Sequence, residues 1–456
     1  MQRLLIQTQL SNYDTKGNFI LECDSGFQMV MGRVREMLKL NPELDITVMG
    51  PNTGENGNKR QLITDPWDVN PDLWEKYGDE GEKRLHYFEH EIIANALVTR
   101  YDFDWTALAI SLDLGMMKLG RTPKYDAVYI NDPMHLRNFQ ALFHVVAGYQ
   151  PRFYVHSHFI DNPECPKFPK EASLWLGQCE AAIKADFNFW QCESAMNIFF
   201  ESMAKQFQPS IVEAVKAKSL PWDDGYSQTE INVPVIEENL RFDSRKFENM
   251  ISQKIVIFVP NRIGGKGRSS DYTNCGKFMF DLLPELRKRR QDFVIIAGNP
   301  NQKFLNSELE QLCGANGYIN IVPNALNRDE FKYVARKSHI VLGLYDQDAY
   351  GGTASRECVE LGCMPLWLDI NEYSSIAREA GGYPYMVKPN WSGFTGMLSH
   401  LMDDIKHIID VNQYPSWAGK RFNVAWQPKI QQIIRNRCSY EATSYAAMER
   451  MGLLNN

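Results

Sequence analysis

The feature that most limits the fold is a recurrence of short apolar runs, rich in β-branched and aromatic residues, with helical periodicity between them. In the first half they fall at 3–7 (RLLIQ), 45–49 (DITVM), 125–130 (YDAVYI), 152–156 (RFYVH) and 186–191 (DFNFWQ). In the second half they fall at 254–259 (KIVIFV), 292–297 (DFVIIA), 318–322 (YINIV), 339–344 (HIVLGL) and 363–368 (CMPLWL). Runs this short with little polar alternation suit strands buried on both faces, and the intervening helices supply the covering layers. The pattern predicts an α/β chain built on parallel sheets.

A chain of 456 residues exceeds what one core usually serves, so two domains are expected. Phe27, Val30, Met31, Val34, Met37 and Leu38 form a helical stripe after the capping candidates Asp24 and Ser25. With strands 3–7 and 45–49 and a loop holding Gly17 and Gly26, this helix makes a βαβ unit, and a second such start lies at 254–297. Two starts imply two doubly wound, Rossmann-like domains. The boundary is expected in the polar stretch 232–250, giving domains at 1–240 and 241–415. Residues 416–456 carry helical patterns without strand signal and are expected to be terminal helices crossing back to the first domain.

Composition narrows the function classes. No apolar run approaches the roughly 18 residues of a membrane span, and the N-terminal MQRLLIQTQLSNYD lacks the apolar region of a signal peptide. Nine cysteines without a C-x-x-C pair fit reduced thiols. A soluble, cytoplasmic protein without membrane insertion is the expectation. A net charge of −7 counts against a surface coated in basic residues for nucleic acid, while leaving room for a local basic groove.

Two glycine turns carry the chemistry. In open parallel sheets ligands bind beyond the carboxyl ends of the strands, where helix N-termini offer free N–H groups and a positive dipole end to phosphate. In 348–369 (DAYGGTASRECVELGCMPLWLD), Gly351 and Gly352 let the backbone approach a ligand, and the amides of Gly352, Thr353, Ala354 and Ser355 are expected to point outward at a helix start. Glu357 sits about one turn in, where a carboxylate can accept hydrogen bonds from a pair of sugar hydroxyls; the competing reading is an N-capped helix after a tight turn. In 259–278 (VPNRIGGKGRSSDYTNCGKF), Arg262, Lys266 and Arg268 stand beside Gly264, Gly265 and Gly267, before a helix expected near Asn274. Cations on a flexible loop at a strand's carboxyl end suit a diphosphate, because Arg grips two oxygens at once. The spacing is not that of a Walker loop.

With these residues in place, the second half resembles the donor-binding domain of GT-B glycosyltransferases, especially the retaining family-4 type. It shares a strand, Arg and Lys in a glycine loop, a helix, FVIIAGNP, and an acid-Gly turn leading to ECVELGCMP. The resemblance implies a GT-B fold, with two Rossmann-like domains facing a cleft. It also implies a UDP-sugar as donor substrate, with no tightly bound cofactor and no obligatory metal. Arg262, Lys266 and Arg268 would contact the donor's phosphates, the amides of 351–355 would line sugar and diphosphate, and Glu357 would bind the ribose hydroxyls. Where the family has its first acid this chain has Ala349, with Asp348 beside it as the substitute.

Two polar clusters follow strands of the first half. One is Asn131, Asp132 and His135; the other is His156, His158 and Asp161. Asp132, His156, His158 and Asp161 are the catalytic candidates, since a carboxylate or imidazole at a strand end can take or orient an acceptor hydroxyl's proton. Asp132 before Pro133 is also an ordinary turn pair. His156 and His158, alternating on a strand, are expected to point to opposite faces, which argues against a shared metal. His86 and His90, four apart, read as one face of a helix, and the tryptophans as core. The His-x-His strand end also resembles T-even phage DNA glucosyltransferases, which implies hydroxymethylated DNA as acceptor and, if phage-encoded, the host cytoplasm. A basic rim for DNA would come from Arg33, Arg35, Lys59, Arg60, Lys83, Arg84, Lys167 and Lys170. The alternatives are a family-4-type transferase acting on a glycan or lipid-linked acceptor, and a nucleotide-sugar epimerase of the same fold.

Overall fold

A computed structural model describes residues 2–7, 25–49, 85–88, 125–141, 143–144, 148–158, 160, 172–252, 254–263, 293–300, 318–320, 326–343, 352–369, 371–383, 386–387 and 426–454. The chain packs as two compact units, Met1–Gly225 with Tyr440–Asn456, and Tyr226–Ser439.

The first unit is built on β1 (Arg3–Gln7), α1 (Ser25–Leu40), β2 (Asp45–Met49), β3 (Leu85–Phe88), β4 (Ala127–Ile130), α2 (Leu136–Ala141) and β5 (Arg152–Ser157). It continues through α3 (Ala172–Lys184), β6 (Phe187–Trp190), α4 (Glu193–Met203), α5 (Pro209–Lys216) and β7 (Ser219–Pro221). The strands run in the order β3-β2-β1-β4-β5-β6-β7. Every pair is parallel. The sequence order therefore reverses between β1 and β4, which is the topological switch point of a doubly wound sheet. Val30, Met31, Val34, Met37 and Leu38 of α1 are buried against Leu4, Ile6 and Ile46, as the helical stripe requires. His86 is not on a helix: it pairs with Thr47 in the strand register of β2 and β3. Four residues of Leu-His-Tyr-Phe favour a pleated surface as readily as a helix, and the free edge of β2 decides between them. His90 lies outside the described residues.

The second unit opens with α6 (Gln228–Asn232) and α7 (Ser244–Ile251), then β8 (Ile255–Ile263), β9 (Phe293–Pro300), β10 (Tyr318–Asn320), α8 (Arg328–Lys337) and β11 (Ile340–Gly343). It closes with α9 (Thr353–Glu360), β12 (Met364–Leu368), α10 (Asn371–Glu379), β13 (Met386–Val387) and α11 (Gln427–Cys438). Its strand order is β10-β9-β8-β11-β12-β13, again all parallel, with the switch point between β8 and β11. Residues before β8 join this unit, with Tyr226, Ile231 and Phe247 in its core. So does α11, through Ile430, Ile433 and Ile434. The last helix, α12 (Tyr440–Met451), packs in the first unit, burying Ala447, Met448 and Met451.

No helix among the described residues is long and apolar enough to cross a membrane. Cys179, Cys192, Cys358, Cys363 and Cys438 are buried thiols that form no disulfide.

Candidate functional site

In a parallel sheet every connecting helix starts at the strands' carboxyl edge, so α8 and α9 both begin beside the β8/β11 switch point. Gly343 ends β11, and a Cβ there would run into the Trp367 indole and stand 2.9 Å from the Ser355 hydroxyl. That glycine lets β11, β12 and the head of α9 converge, and the Trp367 Nε1 proton reaches the Ser355 hydroxyl at 2.7 Å. α9 opens at Gly352, with Thr353 and Ala354 half-buried. Ser355 departs from the expectation of an outward amide: its N–H turns back to the Gly352 carbonyl at 3.2 Å, and its side chain is buried. A helix's first turn leaves few free donors once one amide closes a tight local bond.

At the other end of α9, the break Gly-Cys-Met-Pro has a backbone cause. Cys363 N–H bonds the Cys358 carbonyl at 2.8 Å and Gly362 N–H bonds Val359 at 3.0 Å, with Gly362 at φ 98°. This is a Schellman turn, in which the glycine removes the Cβ penalty of a positive φ. It sends the chain straight into β12.

Glu357 is buried one turn into α9, and Arg328, the first residue of α8, grips it. Arg328 Nη1 donates to Oε2 at 2.8 Å and Nη2 to Oε1 at 2.7 Å, while Nε donates to Glu230 Oε1 at 3.0 Å. Asn327 caps α8 with Glu330 in a reciprocal capping box, which holds Arg328 at the helix start. Arg262 belongs to β8, whose register with β9 slips between Val259 and Arg262 before Arg262 pairs with Asn299. Lys266, Arg268, Asp348, Gly351 and the helix expected near Asn274 lie outside the described residues.

The first unit brings together a second cluster. Asp224, just past β7, accepts from Arg33 Nη2 at 2.8 Å through Oδ1, with His156 Nε2 3.1 Å from the same oxygen and His158 Nδ1 2.6 Å from Oδ2. The two imidazoles stack with centroids 4.4 Å apart. The expectation that they point to opposite faces is overturned: residues two apart on a strand share a face, because the side-chain period is two. Tyr129 OH lies 2.7 Å from His156 Nδ1 and accepts from Arg33 Nη1 at 3.1 Å. Since Arg only donates, the Tyr129 proton points to Nδ1, and His156 carries its own proton on Nε2, facing Asp224.

Burial, then Arg33 and His158, hold the His156 imidazole well below its usual range, so it is neutral. Burial alone would raise the Asp224 carboxyl, but the imidazoles of His158 and His156, which attract and hydrogen-bond its ionised form, keep it well below the usual carboxylate range. One ligand atom each of His156, His158 and Asp224 lie within 4.8 Å of one another, a spacing a metal could bridge. The donor chemistry does not fit one. The Nε2 lone pair of His156 is protonated, and the Arg33 guanidinium already supplies the cation beside Asp224.

Both ring nitrogens of His156 are committed and the residue is fully buried, so it shapes the cluster. His158 keeps a side chain 12% exposed, with Nε2 3.1 Å from Asn131 Oδ1. Asp132 accepts from the Met134 amide at 2.9 Å and caps the turn Pro133–His135. His135 is buried in that same turn, and Asp161 lies outside the described residues. Arg33, counted from sequence among the basic rim, is 1% exposed inside the cluster, with its guanidinium 4.9 Å from the Trp222 ring centroid. It sits on α1's apolar stripe between Val30 and Met37, a periodicity that marks it as inward-facing. Sequence reasoning missed Asp224, Tyr129 and Arg328. The Asp-Asp-Gly step after the short apolar run Ser219–Pro221 was the available signal for Asp224.

No protein-family model and no curated protein matches the chain. Solved structures do. HepE of Anabaena, in complex with UDP-glucose, superposes with a TM-score of 0.61 at 10% identity, covering 99% of this chain and 100% of that one. The fold is GT-B. Sucrose-phosphate synthase from Thermosynechococcus elongatus gives a TM-score of 0.62 at 9% identity over 100% of this chain and 99% of that one. The α,α-trehalose-phosphate synthase (UDP-forming) of Burkholderia xenovorans, with glucose-6-phosphate, gives 0.60 at 10% identity over 99% and 100%. Because these alignments span nearly the whole chain, the GT-B assignment covers both units.

Proposed function

We propose that the protein is a glycosyltransferase that uses a UDP-sugar donor held by the second unit. The observation that carries this reading is Glu357: a buried carboxylate held at both oxygens by Arg328, one turn into the helix that follows β11, beside the switch point where open α/β sheets bind nucleotides. Its place suits the hydroxyls of a ribose. The amides of Thr353 and Ala354 at the head of α9, with Gly351 and Gly352 before them, suit the sugar and diphosphate. Arg262, Lys266 and Arg268 suit the phosphates, and Asp348 the transferred sugar. In transfer the bond from anomeric carbon to diphosphate breaks, the diphosphate leaves with the electron pair, and the acceptor oxygen takes the anomeric carbon. Cations on the leaving group stabilise its growing charge, and losing one costs about 10²–10³ in rate.

His158, braced by Asp224, is the residue of the first unit that we assign to the acceptor hydroxyl; Asp132 and His156 serve the local structure. Similarity to structures solved with UDP-glucose and glucose-6-phosphate favours a sugar or glycan acceptor. The DNA acceptor has less behind it, since Arg33 leaves the basic rim for a buried ion pair. A steep fall of transfer with salt on hydroxymethylated DNA would restore it.

The test is incubation with a panel of nucleotide sugars. Slow hydrolysis or transfer from a UDP-sugar is expected, whereas formation of an epimer, or stabilisation without turnover, rejects the transferase reading. Glu357→Ala should raise donor KM at least about tenfold with the fold intact, the loss of a charge-assisted hydrogen-bond partner. Unchanged kinetics would remove Glu357 from the donor site.

A further inference from the structure

We propose that Arg33 is a positioning residue of the acceptor site. By balancing the charge of Asp224 it keeps the stacked His156–His158 pair from holding a proton permanently, which leaves His158 an electron pair for the proton of an acceptor hydroxyl. This rests on the assignment of His158 to the acceptor above. Arg33 Nη2 donates to Asp224 Oδ1 at 2.8 Å and to the Trp222 and Asp223 carbonyls, both at 3.1 Å. One guanidinium therefore fixes the turn that carries the carboxylate as well as the carboxylate itself. The Arg33 and Asp224 side chains are 1% and 4% exposed, so water screens their charges little. Two imidazoles beside an unpaired buried carboxylate would bind a proton between them, because an uncompensated charge there costs more than charging a ring. Arg33 removes that demand.

Arg33 Nη2 also stands 3.4 Å from His156 Nε2, one N–H facing another, a placement that opposes a positive charge on that ring. The Tyr129 hydroxyl of β4 sits at the other nitrogen of His156, and burial keeps that phenol protonated. The Tyr440 ring of α12 lies 5.9 Å from the guanidinium carbon. With Asp224 after β7, these are the titratable groups set around the pair and its arginine among the described residues. In the transfer step the acceptor's O–H bond breaks and its electron pair stays on the oxygen that bonds the anomeric carbon. The proton goes to His158 Nε2, since Nδ1 is taken by Asp224. Asn131 Oδ1, 3.1 Å from Nε2, accepts the N–H so formed, and the proton then passes to water.

The experiment follows UDP release from UDP-glucose by the full-length protein across the acid and neutral pH range, with NMR of the His156 and His158 ring Cε1–H signals over the same range. The rate is expected to fall on the acid side, where an essential base is lost. Arg33→Met should move that limb, and the ring signals with it, to higher pH by about one unit or more, with donor KM unchanged. Arg33→Lys, which keeps the charge and loses the fork, should move it by less than about half a unit. Arg33→Met with Asp224→Asn, which removes both charges, should bring it back. Should Arg33→Met not fold, Asp224→Asn alone compared with that double variant isolates the same charge, and its limb should lie about one unit lower. A folded Arg33→Met whose limb and ring signals stay in place overturns the proposal, as does an Asp224→Asn profile identical to that of the double variant. Ring signals that move while the limb stays overturn the assignment of His158 to the acceptor, and the proposed role of Arg33 with it. Absence of UDP release from the unaltered protein is a different result: it rejects the transferase reading, and the ring signals alone then decide whether Arg33 balances the pair.

Discussion

A buried carboxylate needs several donors, and Arg33, His156 and His158 stand 2.8, 3.1 and 2.6 Å from the oxygens of Asp224. The arrangement ties stability to pH in a direction that can be worked out. His156 in the folded chain is held below its ordinary value, so at a pH between that lowered value and about 6.5 the unfolded chain takes up a proton the folded chain refuses. The stability it supports is therefore complete above about pH 6.5 and is lost on acidification, at up to about 1.4 kcal/mol per pH unit. Asp224, also lowered, adds a second loss only below about pH 3.9. The urea midpoint of the first unit should accordingly fall from pH 7 to pH 5, and His156→Gln should show a flatter profile. Parallel profiles for the two proteins would mean that His156 is not the titrating group.

At the scale of elements, the site depends on how α9 is rooted. Gly343 at the end of β11, Trp367 of β12 and Ser355 of α9 meet where only a hydrogen fits, and the Trp367–Ser355 bond holds the helix head at that point. Gly343→Ala should displace the indole, break that bond and cost about 1–3 kcal/mol of the second unit's stability. Because the damage lies under the helix start, UDP affinity should fall with it. Denaturant unfolding followed by tryptophan fluorescence, alongside UDP titration, checks both; a variant with unaltered midpoint and affinity would show that the root tolerates a methyl group. The strand signals here were legible because each of β8, β9, β11 and β12 contains a short apolar run, whereas β7 and β13, three and two residues long, carry no periodicity of their own.

For the whole molecule, the last helix matters more than its place in the chain would indicate. α12 and the residues after it put Met448, Met451 and Leu453 into the first unit's core. The Tyr154 hydroxyl bonds the Met451 carbonyl at 2.7 Å and Asn41 bonds the Leu453 carbonyl at 2.6 Å. Burying three such side chains contributes roughly 5–9 kcal/mol as an upper estimate, which rivals the stability of a typical domain. Deleting residues 440–456 should therefore unfold the first unit while the second retains a cooperative transition. Calorimetry of the truncated chain would show one transition in place of two, and survival of both would disprove the dependence.

Local pattern decided much of this protein. Apolar runs and helical stripes specify parallel strands with helices between them, and a glycine followed by a helix start marks where a ligand can meet backbone amides. Arg33 and the two histidines were also readable, from helical period and strand period, although the histidine pair was assigned to the wrong faces. Tertiary structure alone decided which strand ends meet. Arg33 and Asp224 lie 191 residues apart in sequence, and Arg328 reaches Glu357 across an intervening strand. Such contacts follow from strand order, and strand order is set by the packing of whole layers, a long-range balance that no stretch of a dozen residues contains.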